Sequence, residues 1–312
     1  MSLSYDLIGD IHGQAAKLEV LLRKLGYTST ADGWKAPAGR QAVFVGDLID
    51  RGPEQIKVVD TVRRMVESGQ ARAVMGNHEL NAIGWMTPRR DGSSRFLRDH
   101  SPNKTSQHAE FLRQVGEGSA QHLDMLNWFK TLPLFLDLGE IRAVHAWWHE
   151  PYINHVGARH QGGRPIDEDF LQAAFTKQTP EWAAVEGIAK GLEVKLPEGV
   201  SFRDHSDIER FEVRTRWWMG DDVSLRDVAI LDEEKRLQLP DEPMKSLSDN
   251  YDARRITDVP VFIGHYWMQG TPAIQDHKVA CLDWSAAKDG PLVAYRWDGE
   301  QHLSNDKFVC SH

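Results

Sequence analysis

Cysteine is scarce in this chain, whose 312 residues include only Cys281 and Cys310 and no CxxC spacing. Two cysteines cannot build a disulfide framework, and without CxxC pairs the sequence does not indicate a zinc ribbon. We therefore expect buried or incidental thiols in a reducing compartment, with a single bridge or a redox role as the alternative.

Long apolar runs are lacking as well. No run is long enough to span a bilayer, and no charged segment followed by an apolar one precedes Tyr5. The sequence therefore predicts a cytoplasmic protein that does not associate with membranes. Hydrophobic residues still make up 41% of the chain, which is enough to form a sizeable core.

Positive charge is in the minority, because 37 Lys and Arg residues are opposed by 46 Asp and Glu residues, for a formal net charge of -9. This balance argues against a broad cationic surface for duplex nucleic acid or anionic lipid. Any site for phosphate must therefore be local. No feature of the sequence indicates an obligate protein partner.

Three short runs near the N-terminus carry the most information. Each places carboxylate, amide or imidazole groups beside a glycine, which lets a loop turn sharply and its backbone approach an ion or a phosphate. One such run would be uninformative, but three in order predict a site. The runs are Gly9-Asp10-Ile11-His12-Gly13, Gly46-Asp47-Leu48-Ile49-Asp50-Arg51-Gly52 and Gly76-Asn77-His78-Glu79.

The apolar pattern of the first third of the chain predicts strands that alternate with helices. Strands are expected at 4–9, 41–45 and 71–75, with helices at 18–25 and 56–66 between them. Such alternation is typical of a parallel sheet with right-handed crossovers. The loops after the three strands then emerge along one edge of the sheet, so the three motifs are expected to converge.

The remaining segments predict further strands and two insertions. The run 141–144 delivers His145 at its end, and 259–263 delivers His265. We also expect hairpins that pair 134–138 with 141–144 and, around Asp289-Gly290, 279–283 with 292–297. The polar, loop-like segment 84–121 and the mainly helical segment 150–210 are expected to be lids within a single domain, 1–312, and 231–258 a charged surface excursion.

The motif residues are suited to bind metal ions. Asp10 and His12 are two residues apart, so an extended backbone sends both side chains to one side, where they can chelate one ion. Asp47 could reach that ion and also a second one. Asn77, His145 and His265 would complete the second position. Oxygen and nitrogen ligands without thiolate suit Mn, Fe, Zn or Co better than Ca or Mg.

Two neighbouring ions would lower the pKa of a shared water toward neutrality, so that hydroxide could attack a phosphoester. His78 is then the best-placed acid for the leaving alkoxide, with Asp50 on its other ring nitrogen. Arg51 can bind non-bridging phosphate oxygens. Arg214 and Arg216 are candidates for a second clamp, with exposed cross-strand charges as the alternative.

These motifs resemble those of the phosphoprotein phosphatase family of binuclear metallophosphoesterases, GDxHG, GDxxDRG and GNHE followed by two later histidines. The resemblance implies an α/β sandwich of two mixed sheets flanked by helices. It also implies a first metal at Asp10, His12 and Asp47, a second at Asp47, Asn77, His145 and His265, phosphate binding by Arg51 and by Arg214 or Arg216, and acid catalysis by His78 with Asp50.

The substrate is less well defined by the resemblance. We expect hydrolysis of phosphomonoesters, including Ser/Thr phosphoproteins. The alternative is cleavage of dinucleoside polyphosphates, since 214–217, 264–267, 281–283 and 295–297 are similar to symmetrical diadenosine tetraphosphate hydrolases. A catalytically silent phosphate-binding module is a third hypothesis, although such a module needs no acid like His78.

Eleven tryptophans are an unusual number for this length. Six of them lie near predicted site elements, where an indole could stack on a nucleobase or simply fill the core. They are Trp85, Trp147, Trp148, Trp217, Trp218 and Trp267.

Overall fold

The computed structural model describes residues 4–204, 208–220, 223–244 and 258–312. Contacts along the chain divide it into two compact units, one formed by Met1–Ala189 with Val259–His312 and the other by Lys190–Asp258. The organisation of the chain as a single domain stays a prediction. Both cysteines are free. Among the described residues, no helix combines the length and apolarity needed to cross a bilayer.

The first unit contains a five-stranded mixed sheet in the order β15-β14-β1-β4-β5. Strands β1, β4 and β5 are parallel, and β14 pairs with β1 in the antiparallel sense. Helices α1 and α2 connect the parallel strands, as the alternating pattern predicted. Their bounds are β1 Ser4–Ile8, α1 Ala15–Lys24, β4 Arg40–Phe44, α2 Gln55–Glu67, β5 Ala71–Ala73, β14 Val293–Trp297 and β15 Phe308–Cys310.

A second, four-stranded mixed sheet has the order β13-β12-β7-β6. Strands β6 and β7 form the expected hairpin, while β12 runs parallel to both β7 and β13. The two sheets share one core, which includes Leu7 and Val43 from the first sheet and Phe262 and Ala280 from the second. The expected α/β sandwich of two mixed sheets is confirmed. The strands are β6 Phe135–Asp137, β7 Arg142–Val144, β12 Val261–Ile263 and β13 Val279–Cys281.

The closing hairpin predicted from 279–283 and 292–297 is wrong. Strand β13 pairs with β12 in the second sheet, whereas β14 pairs with β1 and β15 in the first. Almost every residue of both strands is buried, so neither shows the alternation that would identify a solvent-facing side. The turn residues at 289–290 therefore lie in a connection between the sheets.

The expectation of a loop-like segment at 84–121 is also wrong, because this segment contains α4. The buried residues of this helix are His108, Phe111 and Val115. They form a narrow stripe that includes an imidazole, so the sequence pattern indicates a helix only weakly. The neighbouring helices are α3 Asn77–Met86, α4 Pro102–Val115, α5 Ala120–Phe129, α6 Glu150–Gly157, α7 Glu168–Ala174 and α8 Pro180–Lys190. A lid role for either insertion stays a prediction.

The second unit has its own small core of Val194, Val213, Leu225 and Met244, among other residues. Segment 150–210 was expected to be mainly helical, but part of it forms short strands that belong to this unit. The strands of the unit are β8 Glu193–Lys195, β9 Phe202–Arg203, β10 Glu209–Arg210 and β11 Glu212–Arg214, followed by helices α9 Leu225–Val228 and α10 Glu233–Gln238. The surface excursion was expected at 231–258, and residues 245–257 of it lie outside the described part of the chain.

The first unit also contains a short hairpin that was not predicted from the sequence. It pairs β2 Thr28–Thr30 with β3 Gly33–Lys35.

Candidate metal centre

The loops that follow the strands contain an unusual concentration of strained backbone. Non-glycine residues rarely adopt a positive φ, and those that do often lie at functional sites. Most of these strained residues in the present chain lie in the motifs or at a predicted ligand, which supports a functional role for the loops. Four of the described non-glycine residues with positive φ belong to the motifs, namely His12, Asp47, Asp50 and Arg51, and a fifth is the predicted ligand His265.

Backbone hydrogen bonds join the first two motif loops. The N–H groups of Ile11 and His12 both donate to the carbonyl oxygen of Asp47, at 3.0 and 2.9 Å. The N–H of Gly13 donates to the carbonyl oxygen of Leu48 at 2.8 Å. The loops after β1 and β4 therefore form one rigid surface.

The carboxylate of Glu79 attaches the third motif to the second. It lies at the start of α3 and accepts hydrogen bonds from the N–H groups of Asp47, Leu48 and Gly76, at 2.8 to 2.9 Å. Glu79 is fully buried. Glu79 therefore orders the backbone that presents Asp47.

Two groups of buried side chains can each hold an ion, and Asp47 belongs to both. His12, Asp47 and His78 form one group, and Asp47, His145 and His265 form the other; within each group the ligand atoms lie within 4.8 Å of one another. Oδ2 of Asp47 lies 3.7 Å from Nε2 of His12 and 3.3 Å from Nε2 of His145. Asp47 is thus common to both groups, and its role as a ligand of two ions stays a prediction.

Asn77 and Asp10 extend the two groups. Oδ1 of Asn77 lies 2.8 Å from Nδ1 of His265 and 3.1 Å from Nε2 of His145. Oδ2 of Asp10 accepts the backbone N–H of His265 at 2.9 Å. The side chains proposed as ligands thus converge from the ends of β1, β4, β7 and β12 and the start of α3.

Backbone carbonyls orient two of the imidazoles. Nδ1 of His12 lies 2.9 Å from the carbonyl oxygen of Ile49, and Nδ1 of His145 lies 2.7 Å from that of Val45. A carbonyl oxygen only accepts, so Nδ1 carries a proton in both rings and Nε2 is the ring atom that faces the cluster. This is the arrangement by which proteins commonly fix a metal-ligating histidine.

The buried carboxylates and imidazoles of the cluster shift one another's pKa values. Burial alone would lower the pKa of His145, but the carboxylates of Asp47 and Asp10 outweigh it and raise that pKa to about 10. Burial likewise would raise the pKa of Asp47, yet His145 and His78 hold it well below its ordinary value. By contrast, burial and the neighbouring His78 lower the pKa of His12 to about 3, so this ring is a neutral ligand.

Two buried ligand atoms show that the residues fit a metal ion. Within the described residues, neither Oδ1 of Asp10 nor Nε2 of His12 has a hydrogen-bond partner. Leaving a buried polar atom without a partner is costly, whereas a cation would satisfy both atoms. The ligand set of carboxylate, amide and imidazole suits a transition metal.

Asp50 links two histidines beside the cluster. Its Oδ2 lies 2.5 Å from Nδ1 of His78, and its Oδ1 lies 2.7 Å from Nδ1 of His108 on α4. Burial opposes ionisation of Asp50, but hydrogen bonds from His108 and His78 hold its pKa below the ordinary value. Burial also lowers the pKa of His78, and Asp47 and Asp50 outweigh it, so that this pKa is raised. Sequence reasoning missed His108 because α4 was not predicted.

The predicted phosphate-binding arginines differ in their surroundings. Arg51 is exposed, and its guanidinium lies over the indole of Trp267, 5.8 Å from the ring centroid. Arg214, in the second unit, pairs with Glu193 across β8 and β11 at 2.9 Å, which agrees with the cross-strand alternative. Arg216 donates to the carbonyl oxygen of Asp227 at 3.1 Å. A second clamp formed by Arg214 or Arg216 stays a prediction.

Close packing at Gly264 offers a test of the ligand assignment for Asp10. A Cβ added at Gly264 would overlap Oδ1 of Asp10. We expect Gly264→Ala to displace this carboxylate and lower the metal content of the purified protein to about one ion per chain or less, as measured by elemental analysis. Gly270→Ala is the control, because it strains a backbone with φ of +85° but meets no atom within 4 Å. Full metal content in Gly264→Ala would contradict the assignment.

Comparison with known proteins places the chain in a family. A protein of Bacillus subtilis strain 168 named bis(5'-nucleosyl)-tetraphosphatase PrpE [asymmetrical] is 45% identical over 187 residues, 55% of this chain and 74% of that protein. Its namesake in Anoxybacillus flavithermus is 49% identical over 74 residues, 24% of this chain but only 30% of its own length.

Another protein of that name, from Oceanobacillus iheyensis, is matched over 55% of its length. Among solved structures, a protein serine/threonine phosphatase of Saccharomyces cerevisiae has a TM-score of 0.47 and 12% identity, with 99% of this chain and 79% of that chain covered. The model of the calcineurin-like phosphoesterase family matches residues 3–183, more than half of the sequence. The chain therefore belongs to the calcineurin-like phosphoesterase family.

Proposed function

We propose that this chain is a hydrolase of phosphoesters and phosphoanhydrides that depends on two metal ions, with Mn, Fe or Zn as the best candidates. The observation that carries the proposal is the shared position of Asp47 between two buried groups of ligands. Asp10, His12 and Asp47 would hold one ion, and Asp47, Asn77, His145 and His265 the other. Bound there, metal ions lower the pKa of water and neutralise phosphoryl oxygens during in-line displacement.

His78 is proposed to protonate the leaving oxygen. Its Nδ1 is held by Asp50, while its Nε2 faces the cluster, 3.8 Å from Oδ2 of Asp47. His78 could also be a ligand, because it belongs to one of the two groups. The hydrogen bond between Nδ1 and Asp50 favours the proton donor instead, because this carboxylate stabilises the protonated ring.

Asp50 is proposed to orient His78, and His108 to orient Asp50. Both carboxylate oxygens of Asp50 are used, one for each imidazole, so the carboxylate cannot rotate without losing a hydrogen bond. Arg51 is proposed to bind non-bridging phosphate oxygens from the exposed side of the cluster, because guanidinium matches their geometry.

Phosphomonoesters, including phosphorylated serine and threonine, are the first candidate substrates, because the cluster needs only a phosphoryl group and a leaving oxygen. The names of the relatives favour a second candidate, a bis(5'-nucleosyl) tetraphosphate. Those names specify asymmetrical cleavage, whereas the alternative predicted from the sequence was symmetrical cleavage. In asymmetrical cleavage, water adds across one anhydride of diadenosine tetraphosphate and yields ATP and AMP; symmetrical cleavage yields two ADP.

Metal removal tests the proposed function. We expect the chelator-treated protein to lose p-nitrophenyl phosphate hydrolysis by about 10²-fold or more, and to recover it when Mn²⁺ is added. Phosphopeptide and diadenosine tetraphosphate are then supplied separately, and their products are identified by chromatography. Undiminished hydrolysis after chelation would contradict the proposal. A protein that cleaves none of these substrates with Mn²⁺, Fe²⁺ or Zn²⁺ would instead support the silent phosphate-binding module.

A further inference from the structure

One of the six tryptophans near the predicted site elements differs from the others. Trp267 is 49% exposed, whereas the other five are buried. Those five therefore fill the cores of their units, as the simpler alternative expected. They are Trp85, Trp147, Trp148, Trp217 and Trp218.

The exposed position of Trp267 is imposed by its surroundings. The residue adopts φ of +45°, which is unfavourable for a bulky aromatic side chain. Its backbone N–H donates to Oδ2 of the buried Asp283 at 2.9 Å, and the next N–H, of Met268, donates to the carbonyl oxygen of Asp283 at 2.8 Å. The loop is thus braced with a large aromatic side chain facing solvent.

The position of the indole relates it to the candidate metal centre. Its ring centroid lies 6.4 Å from that of His265 and 5.8 Å from Cζ of Arg51. An aromatic group that contacts Trp267 would therefore lie beside a phosphate bound by Arg51. A nucleotide has this arrangement, because its ribose separates the base from the phosphate.

We infer that Trp267 stacks on a nucleobase whose phosphate chain is bound at Arg51, so that the site selects nucleotide substrates. The inference rests on the proposed hydrolysis and specifies its substrate class. Indoles are favoured platforms for bases because they offer a broad, rigid face, and stacking is worth a large factor in affinity. Phenyl phosphate, whose ring is bonded directly to the phosphate oxygen, would reach this platform poorly.

Substrate comparison tests the inference. For each variant, kcat/KM is measured with diadenosine tetraphosphate, phenyl phosphate and glycerol 2-phosphate, all with Mn²⁺. We expect Trp267→Ala to lower the ratio of the nucleotide to glycerol 2-phosphate about tenfold, mainly through KM, and Trp267→Phe to preserve most of it. Phe211→Ala, which truncates another exposed aromatic, is the control. The inference would be overturned if Trp267→Ala left the ratio of kcat/KM for the nucleotide to that for glycerol 2-phosphate unchanged. It would also be overturned if kcat/KM for phenyl phosphate fell by the same factor as that for the nucleotide.

Nucleotide binding without turnover separates this inference from the proposed function. ATP is titrated into the metal-free protein while indole fluorescence is recorded. We expect saturable quenching that Trp267→Phe abolishes and that Trp34→Phe retains, although Trp34 also lies near an arginine, Arg23. If wild-type protein hydrolyses none of the three substrates, the proposed function fails while the quenching still decides the stacking site. Hydrolysis together with quenching that is insensitive to Trp267→Phe would overturn only the stacking site.

Discussion

Replacement of Asp47 with asparagine is expected to empty both metal positions and to lower phosphoester hydrolysis by about 10³-fold or more. Among the described residues, Asp47 is the one that both groups of ligands share, so its replacement acts on both groups directly. The substitution removes the negative charge that opposes repulsion between two cations. The loss of activity should therefore accompany loss of both ions rather than of one.

Asparagine is a suitable replacement because it preserves the local structure. Oδ1 of Asp47 accepts the backbone N–H of His78 at 3.0 Å, and an amide oxygen can do the same. The backbone at Asp47 has φ of +50°, a conformation that asparagine tolerates better than most residues. We expect near wild-type folding, so that metal content reports on the ligand set.

Elemental analysis of purified Asp47→Asn gives the number of ions per chain, and activity is measured on the same sample. Asp283→Asn is the matched control, since Asp283 is also a buried carboxylate but belongs to neither group of ligands. It should retain both ions. Two ions retained by Asp47→Asn would refute the shared position of Asp47.

Replacement of His78 with asparagine is expected to lower kcat by about 10²- to 10⁴-fold while both ions remain bound, because only the proton donor is lost. The loss should be larger for an alkyl phosphate than for p-nitrophenyl phosphate, whose leaving group needs less protonation. Activity of the wild type should fall as the pH rises through the raised pKa of His78, since only the protonated ring can donate. His78→Asn should flatten this part of the pH profile.

A buried histidine elsewhere provides the control for this substitution. Nδ1 of His122, on α5, accepts the backbone N–H of Gly118 at 3.1 Å, a bond that the amide oxygen of asparagine can replace. His122→Asn should therefore keep both ions and lose less than about threefold in kcat, as is usual away from the reacting atoms. Loss of an ion from His78→Asn would instead assign His78 to the ligand set.

The convergence of the candidate ligands was more predictable from sequence than the pairing of the strands around them, for a physical reason. Asp10, His12 and Asp47 follow strands whose alternation with helices determines their direction, and parallel strands end at one edge. His145 and His265 were predicted as strand-end residues and do lie at the ends of β7 and β12. Local patterns therefore sufficed to bring distant residues together.

Pairing between buried strands could not be predicted in this way. Strands β13 and β14 both lack a polar face, so nothing in their residues distinguishes the parallel pairing of β13 in one sheet from a hairpin with β14. His108 was missed for a related reason. Its partner Asp50 is 58 residues away, and its own helix has only a narrow inward stripe.

The tryptophans show a further limit of sequence reasoning. Trp147 and Trp267 each lie two residues after a predicted ligand, His145 and His265, yet the first is buried and the second exposed. Trp147 stacks on His149 within the fold, with 4.3 Å between the ring centroids. The hydrogen bond from the N–H of Trp267 to Asp283 is a tertiary contact that no local pattern in the sequence reveals.

Anomalous scattering from crystals grown with Mn²⁺ tests the central claim most directly. Two peaks are predicted, one beside Asp10 and His12 and the other beside Asn77, His145 and His265, with the carboxylate of Asp47 between them. A single peak, or peaks that Asp47 does not contact, would contradict the account.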